Sequence, residues 1–428
     1  MSYEAARFLC DVSVAVLFLS ATPVHLGSEN LFHLLNLLRP DLFLSREVFE
    51  EMVEPAKFLH QAARTVRSAG NDWQIEVKEA LESAIETSWG QSVLRAHPAV
   101  ASWQERLDRS SLSDPERISL LRELDELQPF AGIINRTRRR DIGQFTIRDP
   151  HTVQIDFTQA QLELYQGVLD FRRRWLAQEL DPLVVRLVTD TLERQAASCI
   201  PALAARFKTF LRTGRISRAE LTDLEEEDEE RTLVDAAFPD FLFDDARRLA
   251  ALAEEVARDH DPKFEQLEAV VATAVQSEGG SGKILIFSFF LHTLQYLLQG
   301  LSGLGYRVAL ITGSTPELER EALRERFSRS RDDADAIDVL LSSEVGCEGL
   351  DYQFCDRLVN YDIPWNPMRI EQRIGRIDRF GQKSPKVLIF NFVTPGTVEE
   401  RIYFRCFERL GIFQETLGDL EGVLGDAT

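Results

Sequence analysis

The chain has 428 residues, of which 44% are hydrophobic and 28% charged, and it carries a formal net charge of −21 at pH 7. This length suits two or three domains, and the composition is ordinary for a globular protein. The acidity argues against a protein that coats nucleic acid non-specifically, although a local basic groove is compatible with it. No apolar run reaches the length of a membrane span, and no signal-peptide pattern is present.

The cysteine and histidine content favours a protein without disulfides or structural zinc. Five cysteines, an odd number, form no C-x-x-C pair, which indicates reduced thiols and a cytoplasmic location with no membrane partner. The seven histidines complete no four-ligand set with them, so we expect no structural zinc.

The N-terminal stretch predicts the end of a helix over residues 3–10 and then a buried strand at Val12–Leu19. Ser20-Ala21-Thr22-Pro23 follows, and a helix from Glu29 to Leu38 ends before Pro40. The preceding sequence supplies no neighbouring strand. We therefore expect an apolar surface around residues 8–20 that is exposed unless another chain covers it.

Residues 45–130 show helical periodicity, and Pro115 suits a helix start. The periodic apolar positions are Phe49, Met52, Val53, Phe58, Leu59, Ile118, Leu121, Leu124 and Leu127. Trp73, Trp89 and Trp103 are expected to anchor a core rather than to stack on bases.

An arginine cluster follows at Arg136 and Arg138–Arg140. It either braces two lobes or meets a phosphate backbone, or it is a solvated helix end. Residues 153–157 then predict a strand, and Thr158 predicts the cap of a helix that runs to Phe171. Residues 176–275 are again helical. Their acidic run at 223–230 is read as a solvated loop, with nucleic-acid mimicry as the alternative.

From Lys283 onward, strand and helix patterns alternate, which predicts a parallel sheet with right-handed crossovers. The strands are expected at Ile284–Phe287, Arg307–Ile311, Ile337–Leu341, Arg357–Tyr361 and Val387–Phe392. The helices are expected at His292–Leu301, Pro316–Phe327, Met368–Ile377 and from about Val398.

The segment from residue 338 to 382 organises the chain. A helix over Met368–Ile377 would place Gln372, Arg376 and Arg379 at i, i+4 and i+7 on one face. An isolated R-x-x-R most often marks a solvated face with ion pairs, here to Glu371 or Asp378. Because this pair follows two strands and a glycine-rich turn, where open α/β sheets bind ligands, nucleotide chemistry is favoured.

Three motifs carry a family resemblance. SSEVGCEGLD resembles motif V and QRIGRIDRFGQ resembles motif VI of superfamily-2 helicases, while SATP and the helix after it resemble motif III. The whole stretch resembles the Swi/Snf-type ATPases, and within them the bacterial RNA-polymerase-associated recycling branch. The segment from Leu127 to Asp141 is similar to the family's entry into the second lobe, with Asn135 in place of a usual arginine.

The resemblance implies a RecA-like helicase C-terminal lobe with large helical insertions and the tail of a first RecA-like lobe. It implies arginine fingers at Arg376 and Arg379, and a γ-phosphate- or water-orienting Gln372. It implies nucleotide contacts at Gly349 and Asp351, coupling residues Ser20, Ala21 and Thr22, and nucleic-acid contacts at Thr312, Gly313, Ser342 and Ser343. Gly313 has a simpler alternative, which is turn chemistry.

The same resemblance divides the chain. The expected parts are the end of the first lobe (1–44), a helical insertion (45–130), the start of the second lobe (131–175), a helical insertion with the acidic loop (176–280), the second lobe (281–415) and a tail (416–428).

Two motifs of a P-loop ATPase are missing from these residues. No G-K-[ST] occurs, since Gly282-Lys283 precedes Ile284, and no D-E-x-H occurs. In the family both lie upstream of SATP. We therefore expect ATP with Mg²⁺ whose ligands come from a missing lobe, and a chain that does not turn over ATP alone.

The expected partners are double-stranded DNA, an upstream ATPase lobe on another chain, and RNA polymerase or another DNA-bound protein. The alternatives are a non-catalytic module that binds nucleic acid or protein, and a truncated open reading frame.

Overall fold

The computed structural model describes residues 3–19, 28–68, 72–108, 112–130, 132–134, 146–176, 182–213, 215–216, 236–237, 240–256, 260–276 and 280–417. Backbone contacts divide the chain into two compact units, Met1–Gln144 with Cys406–Glu421 and Phe145–Arg405 with Gly422–Thr428. Each unit has its own hydrophobic core.

The first unit is helical, as predicted for residues 45–130. Its helices are α1 (Tyr3–Val12), α2 (Ser28–Leu38), α3 (Arg46–Ser68), α4 (Trp73–Glu86), α5 (Pro98–Leu107) and α6 (Asp114–Glu126), with a π-helical turn at Gly90–Leu94. Ser113 and Glu116 form a capping box at the start of α6, with a proline in the first turn. This confirms the predicted helix start.

The tryptophans of this unit anchor its core, as expected. Trp103 is 1% exposed, and Trp73 and Trp89 pack against the same cluster as Leu59 and Leu124. Ile118 was wrongly assigned to this face, because it is 52% exposed and Leu120 points inward instead.

The predicted strand at Val12–Leu19 is wrong. Helix α1 ends at Val12, and residues 13–19 form no strand. A strand of this kind depends on ladder partners, and no described strand pairs with this segment. Val14, Leu17 and Leu19 are largely exposed, so the predicted exposed apolar surface is confirmed.

Several predictions fall outside the described residues. They concern the coupling residues Ser20, Ala21 and Thr22, the arginine cluster at 136–140 and the acidic run at 223–230.

The second unit combines helices with a sheet. The helices are α7 (Gln159–Leu176), α8 (Pro182–Ser198), α9 (Ile200–Thr213), α10 (Phe243–Val256), α11 (Pro262–Gln276), α12 (Leu291–Gly303), α13 (Glu317–Ser328) and α14 (Pro367–Ile377), and α15 (Val398–Leu417) begins here. Thr158 caps α7 as predicted, since its Oγ1 accepts from the Gln161 amide at 3.2 Å.

The strands are β1 (Ile147–Gln154), β2 (Arg215–Ile216), β3 (Ala236–Ala237), β4 (Ile284–Phe287), β5 (Val308–Ile311), β6 (Val339–Ser342), β7 (Arg357–Asn360) and β8 (Lys386–Val393). Six of them form a parallel sheet in the order β1-β8-β7-β4-β6-β5, while β2 and β3 pair separately. This confirms the predicted parallel α/β architecture. Strands β4, β6 and β7 are completely buried, as continuous apolar runs in parallel sheets are.

Strand β1 begins earlier than predicted, at Ile147 rather than at residue 153. Among the described strands it pairs only with β8 and is therefore an edge strand, where Pro150 can be accommodated without a ladder donor. Because β4 to β7 run parallel, their carboxyl ends lie at the same end of the sheet. The residues that directly follow these strands there are Ser288, Thr312, Ser343 and Tyr361.

A buried ion pair joins α11 to α15. Lys263 Nζ donates to Glu399 Oε1 at 2.7 Å and lies 4.7 Å from the ring centroid of Tyr361. Burial raises the pKa of Glu399 to about 7, with Lys263 acting in the opposite direction.

This pKa predicts a pH-dependent contribution to stability. The folded protein holds the Glu399 proton more tightly than the unfolded chain, whose pKa is near 4.5. The stabilisation is therefore complete below that value and is lost as the pH rises through about 7. We expect the free energy of unfolding of the wild type, relative to Glu399→Gln, to fall between about pH 5 and about pH 8 in urea titrations. A constant difference would contradict this assignment.

Candidate functional site

Helix α14 begins and ends through local chemistry. The Asn366 side chain accepts from the Met368 amide at 3.0 Å, Pro367 occupies the first turn, and the Asp378 amide donates to the Ile374 carbonyl at 2.8 Å. The helix predicted at Met368–Ile377 is confirmed. Its inward face consists of the buried residues Met368, Ile370, Ile374 and Ile377.

Arg373 fixes α14 to the sheet. It is 1% exposed and forms an ion pair with Glu344 after β6. Its Nη1 donates to Asn360 Oδ1 at 2.8 Å and to the Asp362 carbonyl at 3.0 Å. Its guanidinium also lies over the rings of Phe287 and Phe289. Arg373 is therefore a structural link between α14 and the ends of β4, β6 and β7.

A third side of α14 carries two carboxylates, and both bind Arg148 of β1. Arg148 Nη1 lies 2.9 Å from each oxygen of Glu371, and its Nε donates to Asp378 Oδ2 at 2.5 Å. The sequence had left open that these carboxylates pair with Arg376 or Arg379. The structure assigns them to Arg148, so neither carboxylate explains the position of Arg376 or Arg379.

Gln372 and Arg376 lie one helical turn apart on the remaining side of α14. Gln372 is exposed and Arg376 half-buried. The only described hydrogen bond of the Arg376 guanidinium is a long one, 3.5 Å from Nη1 to the Leu350 carbonyl. Within the part of the chain that the structure describes, it contacts no carboxylate.

Arg379 does not share this helical face, so that part of the prediction is wrong. The helix ends at Ile377, and Asp378 leaves the helical conformation at φ −93° and ψ 80°. Arg379 therefore lies in the following turn, is 53% exposed and pairs with Asp351. Gln382 holds this turn, because its Nε2 donates to the Cys355 and Ile377 carbonyls at 2.8 and 2.7 Å.

The loop from Gly349 to Asp351 lies beside these arginines. Gly349 has a φ of +78°, a conformation that glycine adopts readily. Arg324 Nε of α13 donates to the Asp351 carbonyl at 2.8 Å, and the Tyr352 amide donates to the Arg376 carbonyl at 2.7 Å. The loop is therefore fixed between α13 and α14.

The predicted nucleic-acid contacts lie at the ends of β5 and β6. The Thr312 amide donates to Thr315 Oγ1 at 3.0 Å, and Gly313 is exposed shortly before α13. The Ser343 amide donates to the Ile311 carbonyl at 3.1 Å. Ser342, by contrast, is completely buried and its hydroxyl donates to the Ser343 carbonyl. The Ser342 side chain is therefore not available as the predicted nucleic-acid contact.

Glycine is required at position 346 because the backbone of Ile311 and Thr312 passes close to it. A Cβ there would lie 2.6 Å from the Ile311 oxygen and 3.0 Å from the Thr312 nitrogen. Because backbone atoms cannot yield cheaply, we expect Gly346→Ala to lower the free energy of unfolding by about 1–3 kcal/mol.

Gly375 provides the matched control, since nothing lies within 4 Å of its Cβ position in α14. Gly375→Ala should raise stability by about 0.5–1 kcal/mol. Urea unfolding of both variants checks the prediction, and equal effects would contradict it.

The described residues contain no group of three or more His, Cys, Asp or Glu side chains that could hold a metal ion. All five cysteines are free, and four are buried. Among the described helices, none is long and apolar enough to cross a membrane.

The interpretation of the sequence missed two residues that matter for the site. Arg373 was noted only as a member of an arginine-rich segment, and Arg148 was not noticed at all. Glu371 in α14 and Asp378 directly after it, seven residues apart, could have signalled a basic partner. Nothing local in the sequence identifies that partner as Arg148.

Comparison with known proteins supports a helicase domain. Residues 262–381 match the helicase conserved C-terminal domain. The chain is 38% identical over 147 residues to the uncharacterized ATP-dependent helicase YqhH of Bacillus subtilis, which covers 33% of the chain and 24% of that protein. It is 37% identical over 130 residues to the mouse DNA repair and recombination protein RAD54B, which covers 30% of the chain and 14% of that protein.

A longer match extends through most of the chain. The RNA polymerase-associated protein RapA of Vibrio cholerae is 26% identical over 420 residues, which is 97% of the chain and 35% of that protein. The chain thus spans about a third or less of the length of the relatives it matches.

Proposed function

We propose that this chain, which contains a helicase C-terminal domain of the Swi/Snf type, supplies arginine fingers and a DNA-gripping lobe to an ATP-dependent translocase. The observation that carries the proposal is the position of Arg376 and Arg379. Arg376 makes a long hydrogen bond to the Leu350 carbonyl and Arg379 pairs with Asp351, so both guanidiniums lie beside the Gly349–Asp351 loop, and neither takes part in the described contacts that fix α14 to the sheet.

The residues of α14 and of the Gly349–Asp351 loop suit a nucleotide. ATP with Mg²⁺ would supply the phosphoryl group that is transferred to water. Arg376 and Arg379 would donate to γ-phosphate oxygens, and Gln372, on the same side of α14 as Arg376, would orient the phosphate or the water. The half-buried Asp351 carboxylate could accept from a ribose hydroxyl once Arg379 leaves it.

The rest of the nucleotide site must come from other residues. The chain contains neither G-K-[ST] nor D-E-x-H, and so it lacks the groups that cradle phosphates and hold Mg²⁺. A second lobe that carries both motifs would complete the site, wherever that lobe is encoded. Without it, the fingers have no held phosphate on which to act.

The end of β5 suits the backbone of duplex DNA. Gly313 is exposed, and Thr312 carries a hydroxyl beside it, as does Ser343 at the end of β6. Backbone amides before a helix favour a phosphate. Contacts of this kind are independent of sequence and weaken as salt increases. The name of the mouse relative, a DNA repair and recombination protein, is consistent with a DNA track.

The test uses an assembled motor, defined as this chain joined behind the part of the Vibrio cholerae relative that precedes the matched segment. We expect both missing motifs there, because in the resembled family they lie upstream of SATP. We expect ATP hydrolysis by the assembled motor, stimulation by duplex DNA, and loss of that stimulation at high salt. The chain alone should show no turnover above background. Rapid hydrolysis by the chain alone, or no hydrolysis by a folded assembled motor, would refute the proposal.

A further inference from the structure

We propose that Arg148 is a positioning residue that sets the rotation of α14, and thereby the direction of Arg376 and Arg379, by holding Glu371 and Asp378 together. This inference rests on the proposed function, because it concerns how the fingers are aimed.

The contacts are largely buried and involve the middle of the helix and its C-terminal end. The side chain of Arg148 is 4% exposed, that of Asp378 is 3% exposed and that of Glu371 is 19% exposed. Glu371 is the fifth of the eleven residues of α14, and Asp378 directly follows its last residue. Burial alone would lower the pKa of Arg148. The two carboxylates raise it by more than burial lowers it, so the net shift is upward and the guanidinium stays charged.

The spacing of the carboxylates makes this contact directional. Residues seven apart lie on one side of a helix, about 10 Å apart along its axis. One planar guanidinium can serve both, because its donors form a fixed fork. If α14 rotated or slid, at least one of the two contacts would be broken. Arg376 lies between the two carboxylates in sequence and would move with the helix.

Apolar packing does not supply the same restraint, and Arg373, which also makes directional contacts, holds α14 at one position only. Ile370, Ile374 and Ile377 press α14 onto the sheet, but apolar contacts are non-directional. The last turn of α14 also decides where Arg379 lies, since Asp378 precedes it directly. Buried ion pairs are weak evidence for stability, and the best-attested role for them is to fix one arrangement. Arg148 is placed to do this for the fingers.

The first measurement uses the chain itself. Arg148→Lys keeps the charge but cannot bridge two carboxylates with one planar fork. Glu371→Gln, at the more exposed carboxylate, breaks one half of the contact with less risk to folding. We expect backbone amides over residues 374–382 to exchange hydrogen at least about 10-fold faster in both variants, with the same melting temperature to within a few degrees.

Arg307→Lys is the matched control. Arg307 forms two 2.7 Å bonds to Asp338, which lies just before β6 and close to the opposite edge of the sheet. Its substitution should speed exchange near Asp338 and leave residues 374–382 unchanged.

The second measurement uses the assembled motor. We expect Arg148→Lys and Glu371→Gln to lower kcat by up to about 10²-fold with little change in KM for ATP, because misaimed fingers affect the reaction more than binding. Unchanged exchange together with unchanged kcat would overturn the inference, while loss of activity in Arg376→Ala would leave the proposed function standing. Full activity of Arg376→Ala would refute the fingers, and hydrogen exchange would still decide whether Arg148 holds the helix.

Discussion

Replacing Arg376 with alanine is expected to reduce ATP turnover by the assembled motor by about 10³–10⁵-fold. An arginine finger offsets charge that develops on the transferred phosphoryl group, and this range corresponds to roughly 4–7 kcal/mol of transition-state stabilisation. The fold should be nearly unaffected, because the guanidinium makes only one long hydrogen bond to the described residues, at the Leu350 carbonyl.

Lys383→Ala is the control for this experiment. Lys383 is an exposed cation just beyond the turn that carries Arg379, and its removal should change turnover by less than about threefold. Steady-state hydrolysis with saturating duplex DNA gives both values. Equal activity of the two variants would show that Arg376 does not reach the reacting phosphate.

Arg373→Ala is expected to have the largest effect on stability, about 3–5 kcal/mol. Arg373 and Glu344 are 1% and 10% exposed in their side chains, so the substitution leaves a carboxylate in a poorly solvated place without its partner. It also removes the bonds to Asn360 and Asp362 that join α14 to β7. Urea unfolding of the chain, followed by circular dichroism, measures the loss.

Two further variants make this result interpretable. Glu344→Gln in the Arg373→Ala background should recover part of the loss, because it removes the unpaired charge. Glu50→Gln breaks the exposed Arg46–Glu50 pair of α3 and should cost less than about 1 kcal/mol. If Arg373→Ala costs no more than Glu50→Gln, the buried role of Arg373 is wrong.

The elements of the parallel sheet could be predicted because their signals are local. Strands β4 and β6 are short apolar runs beside glycine and serine, and Pro367 marks the start of α14. Val12–Leu19 has the same local appearance, yet it forms no strand. Strand formation depends on neighbours that are distant in sequence, and composition alone does not reveal whether they are present.

The site was only partly predictable for the same reason. The helical spacing correctly put Gln372 and Arg376 together, but it failed for Arg379, because α14 ends two residues before it. The link from Arg148 to Glu371 joins residues 223 positions apart. No periodicity records such a contact. It arises because β1 is the edge strand beside β8, a position set by the fold as a whole.

The most direct measurement is the structure of the assembled motor with ADP, Mg²⁺ and beryllium fluoride, a mimic of the γ-phosphate. We predict that Arg379 leaves Asp351 and that both Arg376 and Arg379 donate to the fluorides, while Arg148 stays bound to Glu371 and Asp378. This prediction is contradicted if Arg379 stays on Asp351 and the Arg376 guanidinium faces away from the nucleotide in a structure with the site fully occupied.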